Sequence, residues 1–224
     1  MIKELKKSPL FSGMTEEDIK KCIKCSGSEA VFYKKEEIIF LVEDEPQKLF
    51  ILIEGSVTIC RDSLDGKRNI ITTINQGGDL FGEVFLFLKK REYENYAIAA
   101  SDTKVLQMPK TYLYTGCGNN CDYHTLLISN MLSILAQKAY YLNQKLNIIA
   151  SNTLRQKISK ILLQNAEENG NVELKMNREE FADFLNVARP SLSRELMKMQ
   201  DDGLINIEKK KIKIIDLKRI QDNL

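Results

Sequence analysis

Apolar positions between residues 177 and 205 follow the spacing of two short helices separated by a turn. The first helix is predicted from about Arg178 to Leu185, and Asn177 with Glu180 forms a capping-box pair at its start. The second helix is predicted to begin near Arg189. The pattern indicates a helix-turn-helix, although two amphipathic helices of an ordinary bundle would share the same spacing.

The predicted second helix separates apolar from polar side chains. Leu192, Leu196 and Met199 fall on its inward face. The outward positions, which suit the major groove of DNA, are Arg189, Ser191, Ser193, Arg194 and Lys198. Residues 204–215 then alternate as a β-hairpin with a charged turn, which is the form of a wing. Lys209 and Lys210 in that turn are candidate phosphate contacts.

Between residues 28 and 108 the apolar pattern changes to short β runs. The predicted strands are Glu29–Tyr33, Glu37–Leu41, Lys48–Glu54, Ser56–Arg61, Lys67–Ile74, Ala97–Ala100 and Lys104–Met108. Asp65 and Gly66 form a strong hairpin turn between two of them. Many short strands at close spacing predict an antiparallel barrel, jelly roll or sandwich. An N-terminal helix, capped by Ser12 or Thr15, precedes them.

Residues 122–151 form one long predicted helix with a seven-residue apolar repeat. The repeat predicts a seam made of Ile128, Leu132, Leu135, Ala139, Leu142, Leu146 and Ile149. Such a helix could pack on its own barrel, but the straight repeat favours a two-fold coiled coil and therefore a homodimer. Another helix is predicted over residues 152–169, ended by Gly170, and a short strand over Val172–Met176.

These elements predict an α+β protein with three segments. Residues 1–121 would form a β-roll domain with N-terminal helices, residues 122–151 a dimerisation helix, and residues 152–224 a winged helix-turn-helix domain. The chain has 224 residues and a formal net charge of +2, so any basic DNA-binding surface must be local. No apolar run approaches the roughly 18 residues that a membrane span needs, and a cytoplasmic location is expected.

His124 is the only histidine of the chain. A hydrolase triad based on histidine, a multi-histidine metal site and a cupin-type barrel enzyme are all disfavoured by that count. We therefore expect a protein that is not an enzyme.

Four stretches in this order resemble the Crp/Fnr family of bacterial transcription regulators. They are LFILIEGSVTI (Leu49–Ile59), QGGDLFGEVFLF (Gln76–Phe87), NTLRQKISKILL (Asn152–Leu163) and FADFLNVARPSLSREL (Phe181–Leu196). The resemblance covers nearly the whole chain. It implies a homodimeric regulator that binds a palindromic operator in duplex DNA, works with RNA polymerase, and hinges at residues 150–152 between dimer helix and DNA domain.

The resemblance also assigns roles to residues. It matches Arg189, Ser193 and Arg194 to positions that contact bases or phosphates. Pro190 departs from the family's name-giving members, which carry a glutamate there that reads a base. Because proline has no such acceptor, we expect a different operator.

The resemblance places an effector site in the barrel. Gly82 and Glu83 match a Gly-Glu pair of cyclic-nucleotide binders, while Tyr93 and Glu94 stand where those proteins carry Arg-Ser. Without the arginine that neutralises the cyclic phosphate, cyclic AMP is not the expected effector. The pocket is expected to hold Gly82, Glu83, Tyr93, Ile128 and Leu135. Gly82 and Glu83 could instead be a retained turn, and the alternative function is a cyclic-nucleotide-binding-like module that acts through a protein partner.

The cysteines are a second set of sensing candidates. Cys22 and Cys25 lie three apart on a helix, and Cys117 and Cys121 precede His124 by a few residues. These groups could hold an iron–sulfur cluster or zinc, form a redox disulfide, or ligate haem through His124. Free cytosolic thiols are the alternative, so the cofactor stays open.

Overall fold

The computed structural model describes residues 1–63, 65–88, 91–115, 122–174, 176–208, 211–222 and 224, with only the backbone of residue 122. Two compact units divide the chain, Met1–Ala136 and Gln137–Leu224. Cys117, Cys121, Lys209 and Lys210 lie outside the described residues. None of the described helices is both long and apolar enough to cross a membrane.

The first unit opens with helices α1 (Ile2–Leu5) and α2 (Glu16–Ser26) and a 3-10 turn at Pro9–Phe11 between them. Thr15 caps α2, because its hydroxyl accepts from the Asp18 N–H while the Asp18 carboxylate accepts from the Thr15 N–H. Of the two caps considered from sequence, Thr15 is the correct one.

Eight strands follow among the described residues of this unit, and each strand predicted between residues 28 and 108 is present with ends that differ by at most one residue. Their bounds are β1 (Glu29–Tyr33), β2 (Ile38–Phe40), β3 (Lys48–Glu54), β4 (Val57–Asp62), β5 (Arg68–Ile74), β6 (Leu80–Phe81), β7 (Tyr96–Ala99) and β8 (Thr103–Pro109). They form two four-stranded antiparallel sheets, in the orders β1-β8-β3-β6 and β2-β7-β4-β5. At the turn after β3, Gly55 has a φ of +91°, and a Cβ there would lie 2.4 Å from the Asp102 carbonyl oxygen.

Three helices complete the connections of this unit: α3 (Glu83–Phe87), α4 (Lys110–Thr115) and the first part of α5 (Asp122–Ile149). Helix α5 buries Leu127, Met131 and Ile134 in the same apolar cluster as the N-terminal helices and β3. The Asn130 amide also donates to two backbone carbonyls of the N-terminal segment, at 3.0 and 2.8 Å. The core of the first unit therefore includes one face of the long helix.

The second unit holds the end of α5 and the C-terminal elements. These are α6 (Leu154–Gln164), β9 (Asn171–Val172), α7 (Arg178–Phe184), α8 (Arg189–Asp201), β10 (Ile205–Glu208), β11 (Lys211–Ile214) and α9 (Leu217–Asp222). The strands form an antiparallel sheet in the order β10-β11-β9. This is a helix-turn-helix followed by a wing, as the sequence predicts.

Two boundaries in this unit were predicted wrongly. Helix α6 ends at Gln164 instead of residue 169, because the Asn165 side-chain amide binds the Ile161 carbonyl and Ala166 forms a bridge with Val172. Gly170, with a φ of +80°, turns the chain between them instead of ending the helix. The strand predicted at Val172–Met176 is only Asn171–Val172, since just these positions pair with β11.

Candidate nucleic-acid interface and sensor site

The helix-turn-helix is fixed by local hydrogen bonds. The Asn177 side chain accepts from the N–H groups of Glu179 and Glu180 at 2.9 and 3.0 Å, and the Glu180 carboxylate accepts from the Asn177 N–H at 2.7 Å. Asn186 then adopts a φ of +53°, the left-handed conformation that ends α7. These local contacts define the start and the end of α7, directly before α8.

Helix α8 has a buried face and an open face. Leu192, Leu196 and Met199 are buried in the apolar core of the second unit. On the other side, Arg189, Ser193, Arg194 and Lys198 are exposed and Ser191 is half-buried. This helix therefore presents hydrogen-bond donors on an open surface.

The two arginines of that surface make only loose contacts within the chain. Arg189 lies 3.9 Å from a carboxylate oxygen of Glu179, and Arg194 Nε donates to the Pro190 carbonyl at 3.3 Å. The exposed ion pair with Glu179 is worth roughly 0–1 kcal/mol, so the Arg189 guanidinium can be redirected to another acceptor at little cost.

Arg178, at the start of α7, was missed as a candidate in the sequence analysis. Its side chain is half-buried, and burial lowers the pKa of its guanidinium. A cation held at the start of a helix-turn-helix is a candidate phosphate contact. The position of Arg178 directly after the capping residue Asn177 is the sequence signal that could have identified it.

The wing is a tight antiparallel hairpin. Glu208 pairs with Lys211 at its end, and Lys211 and Lys213 are exposed. Ile212 and Ile214 alternate with these lysines along β11 and are buried in the core. The described lysines of the wing therefore share its open face.

The sensor candidates Gly82 and Glu83 form a turn at the start of α3. Gly82 has a φ of +78°, and a Cβ there would lie 2.9 Å from the Phe50 ring and 3.6 Å from the Tyr93 hydroxyl. Glu83, the first residue of α3, is only 4% exposed. A side chain at position 82 would therefore collide with the Phe50 ring and strain the backbone, whereas its distance to the Tyr93 hydroxyl would be an ordinary contact.

Tyr93 lies inside a cluster of aromatic rings. Its ring stacks on Phe40 with 4.0 Å between centroids and meets the Phe85 ring edge-on at 5.3 Å. Phe50 and Phe81 stack at 5.1 Å beside them. The side chain is 3% exposed, and its hydroxyl has no hydrogen-bond partner among the residues that the structure describes. Burial raises the pKa of the Tyr93 phenol above its usual range.

The predicted effector residues fall into two groups. Gly82 and Tyr93 meet at the aromatic cluster. Ile128 and Leu135, in contrast, are half-buried and pack on the cluster that contains the N-terminal helices. Glu94, the neighbour of Tyr93, is exposed.

The cysteine and histidine candidates that the structure describes have separate surroundings. Cys22 is buried and receives a hydrogen bond from the Tyr112 hydroxyl at 3.8 Å, whereas Cys25 is exposed. His124 Nε2 lies 2.8 Å from the Tyr112 carbonyl oxygen, which fixes that nitrogen as a donor. Cys60 is buried as well. Among the described residues, no three His, Cys, Asp or Glu side chains are grouped to hold a metal ion.

The predicted seam of α5 stays open along much of its length. Leu132 and Leu146 are each 63% exposed, and Ala139 and Leu142 are exposed as well. Ile128, Leu135 and Ile149 are half-buried. The seam and the buried face of Leu127, Met131 and Ile134 are therefore different faces of one helix.

Comparison with known proteins finds two domains in this order. Residues 30–120 match the model of the cyclic nucleotide-binding domain, and residues 156–222 match the Crp-like helix-turn-helix domain. Together the two models cover more than two thirds of the chain.

Relatives extend over most of the sequence. The cyclic AMP receptor protein of Thermus thermophilus is 23% identical over 209 residues, which are 91% of this chain and 90% of that one. The nitrogen fixation regulation protein FixK of Azorhizobium caulinodans is 25% identical over 189 residues, 81% of this chain and 72% of that one. The crystal structure of Thermus thermophilus catabolite activator protein has a TM-score of 0.50 at 21% identity, covering 96% and 97% of the two chains. This likeness shows a shared fold.

Proposed function

The chain belongs to the Crp/Fnr family of transcription regulators, and on that premise we propose that it is a homodimer that binds a palindromic operator under the control of its sensor unit. The observation that carries the proposal is helix α8, whose Arg, Ser and Lys side chains stand open above a buried Leu/Met face. An exposed helix with this face suits the major groove of duplex DNA.

The open seam of α5 supports a homodimer. Leucines at heptad spacing and about 60% exposed in one chain leave an apolar stripe in water, which marks an interaction surface. Burying such a surface stabilises by roughly 25 cal/mol per Å². A second copy of the same helix supplies a matching stripe, and the half-site centres of the operator would then lie about 34 Å apart.

Different side chains would serve affinity and sequence recognition. Arg189, Ser193 and Arg194 are proposed to read base edges, with Ser191 and Lys198 beside them. Arg178 and the wing lysines, including Lys209 and Lys210, are proposed to bind phosphates. Pro190 offers no side-chain acceptor at a base-reading position, so the operator should differ from that of members with glutamate there.

The aromatic cluster supports an effector other than cyclic AMP. A cyclic phosphate carries a negative charge, and the position where the family places its arginine holds Tyr93, packed between Phe40 and Phe85. Placing an anion among these rings without a cation would cost several kcal/mol.

The alternative function is a regulatory module that acts through a protein partner. The two functions differ in how binding responds to salt, because only phosphate contacts release counterions from DNA. We expect affinity for duplex DNA to fall steeply as salt is raised. Contact with RNA polymerase would follow for a bound activator, and no catalytic step is proposed.

The test is selection of a binding site from a pool of random duplexes by the full-length protein. We expect a palindrome with half-site centres about 34 Å apart. In Arg194→Ala, the preference for that site over scrambled duplex should disappear, since each bidentate contact is worth roughly 1–3 kcal/mol of discrimination. Met197→Ala, on the same helix and also exposed, is the control. Selection of no sequence, or a variant that still discriminates, would overturn the proposal.

A further inference from the structure

Arg155, in the first turn of α6, holds two carboxylates at once. Its Nε donates to Glu195 Oε1 and its Nη1 donates to Asp202 Oδ2, both at 2.6 Å. Glu195 lies in the middle of α8, and Asp202 is the residue that caps its C-terminus. A single side chain outside the helix-turn-helix therefore binds α8 at two points that lie two helical turns apart.

This arrangement differs from an ordinary surface ion pair. The Arg155 and Glu195 side chains are only 28% and 19% exposed. The hydrogen bond to Glu195, followed by that to Asp202, raises the pKa of the Arg155 guanidinium. A planar guanidinium can satisfy two carboxylates in fixed directions, which a lysine ammonium cannot do. Contacts at two heights on α8 restrict both its rotation and its sliding along its own axis.

Helix α6 is also tied to the last turns of α5 within the same unit. Lys160 Nζ donates to the Asn147 carbonyl at 3.0 Å, and the Gln164 amide donates to the Gln144 side chain at 2.9 Å. Ile148 is buried in the same apolar cluster as Ile158 and Leu192. Helix α6 thus contacts both the end of the long helix and the recognition helix.

We propose that Arg155 is a positioning residue for operator recognition, which transmits the placement of α6 and of the end of α5 to helix α8. This inference rests on the proposed function, since it assigns a residue that positions α8 for contact with the operator. Arg155 itself touches no base in this arrangement. It acts through Glu195 and Asp202.

The test compares Arg155→Lys with the wild type. The variant keeps the positive charge but cannot hold Glu195 and Asp202 at the same time. Operator affinity should therefore fall about tenfold, which corresponds to the loss of one charge-assisted hydrogen bond. Affinity for scrambled duplex should stay within about twofold and its salt dependence unchanged, because the phosphate contacts remain. Lys157→Arg, a charge-conserving change on the same helix, is the control and should leave both affinities unchanged.

Glu195→Gln gives a second check. In the double variant with Arg155→Lys, it should add little to the loss of operator affinity, because both changes break the same contact. A simple structural role would lower the thermal midpoint while the ratio of operator to scrambled affinity stayed the same. That outcome, or full operator affinity in Arg155→Lys, would overturn the proposal.

Amide hydrogen exchange separates this inference from the proposed function. The amides of α8 in free Arg155→Lys should exchange several-fold faster than in the wild type, with those of β3 unchanged. If the wild type selects no operator, the proposed function fails, and exchange alone decides whether Arg155 positions α8. Unchanged exchange in α8 would refute the positioning role.

Discussion

The two units place their candidate residues in opposite surroundings. In the sensor unit, Tyr93 and Glu83 are buried, and Tyr93 is part of the aromatic core. In the DNA-binding unit, Arg189 and Arg194 are exposed above a core that does not include them. Under the proposed function, stability and recognition depend on different side chains in the second unit, whereas in the first they depend on the same ones. Substitutions can test how far this contrast holds.

The largest effect is expected for Tyr93→Arg, which places the family's cation in the aromatic cluster. A guanidinium desolvated among Phe40, Phe50 and Phe85 should destabilise the unit by about 3–5 kcal/mol. Urea unfolding of the full-length protein measures the change. Glu92→Arg, one residue earlier and exposed, is the matched control and should alter stability by less than about 0.5 kcal/mol. Equal stability of the two variants would contradict the contrast.

An intermediate effect, equal in both units, is expected at the helix caps. Asn177→Ala removes the acceptor of two N–H groups at the start of α7, and Thr15→Ala removes the corresponding acceptor of α2. Each should cost about 1 kcal/mol. Thermal unfolding followed by circular dichroism measures both. A loss at only one cap would show that local helix signals weigh differently in the two units.

The smallest effect is expected from two buried hydroxyls. Tyr93 and Ser159 each have a buried hydroxyl group for which the described residues supply no hydrogen-bond partner. Removing the group by Tyr93→Phe or Ser159→Ala should leave stability unchanged or raise it by up to about 1 kcal/mol, because an unsatisfied polar group no longer has to be desolvated. Chemical denaturation decides the sign. A clear loss in Tyr93→Phe would mean that this hydroxyl binds something when the protein is in solution.

Much of the fold could be predicted because it depends on short-range patterns. The Asn177–Glu180 capping box, the alternation of β11 and the strands on either side of Gly66 all depend on residues a few positions apart. Helix α6 was drawn too long, since its end depends on the bridge from Ala166 to Val172, which spacing along the helix does not reveal.

The candidate sites divide in the same way. The open face of α8 follows from helical periodicity, so its residues could be named from sequence. The neighbours of Tyr93 are brought together by tertiary packing, since Phe40 and Phe50 lie on strands more than forty residues earlier in the chain. Arg155 and Glu195 are forty residues apart and meet only after α6 packs on α8.

The face of α5 that carries Leu127, Met131 and Ile134 has a consequence for how the protein is made. These side chains complete the core of the first unit, yet they follow β8, the last strand of that unit, by about twenty residues. During synthesis, the β-roll would leave the ribosome with part of its apolar surface uncovered until this segment emerges. For the same reason, an isolated sensor fragment should extend to at least Ala136, so that it includes the part of α5 that covers its core.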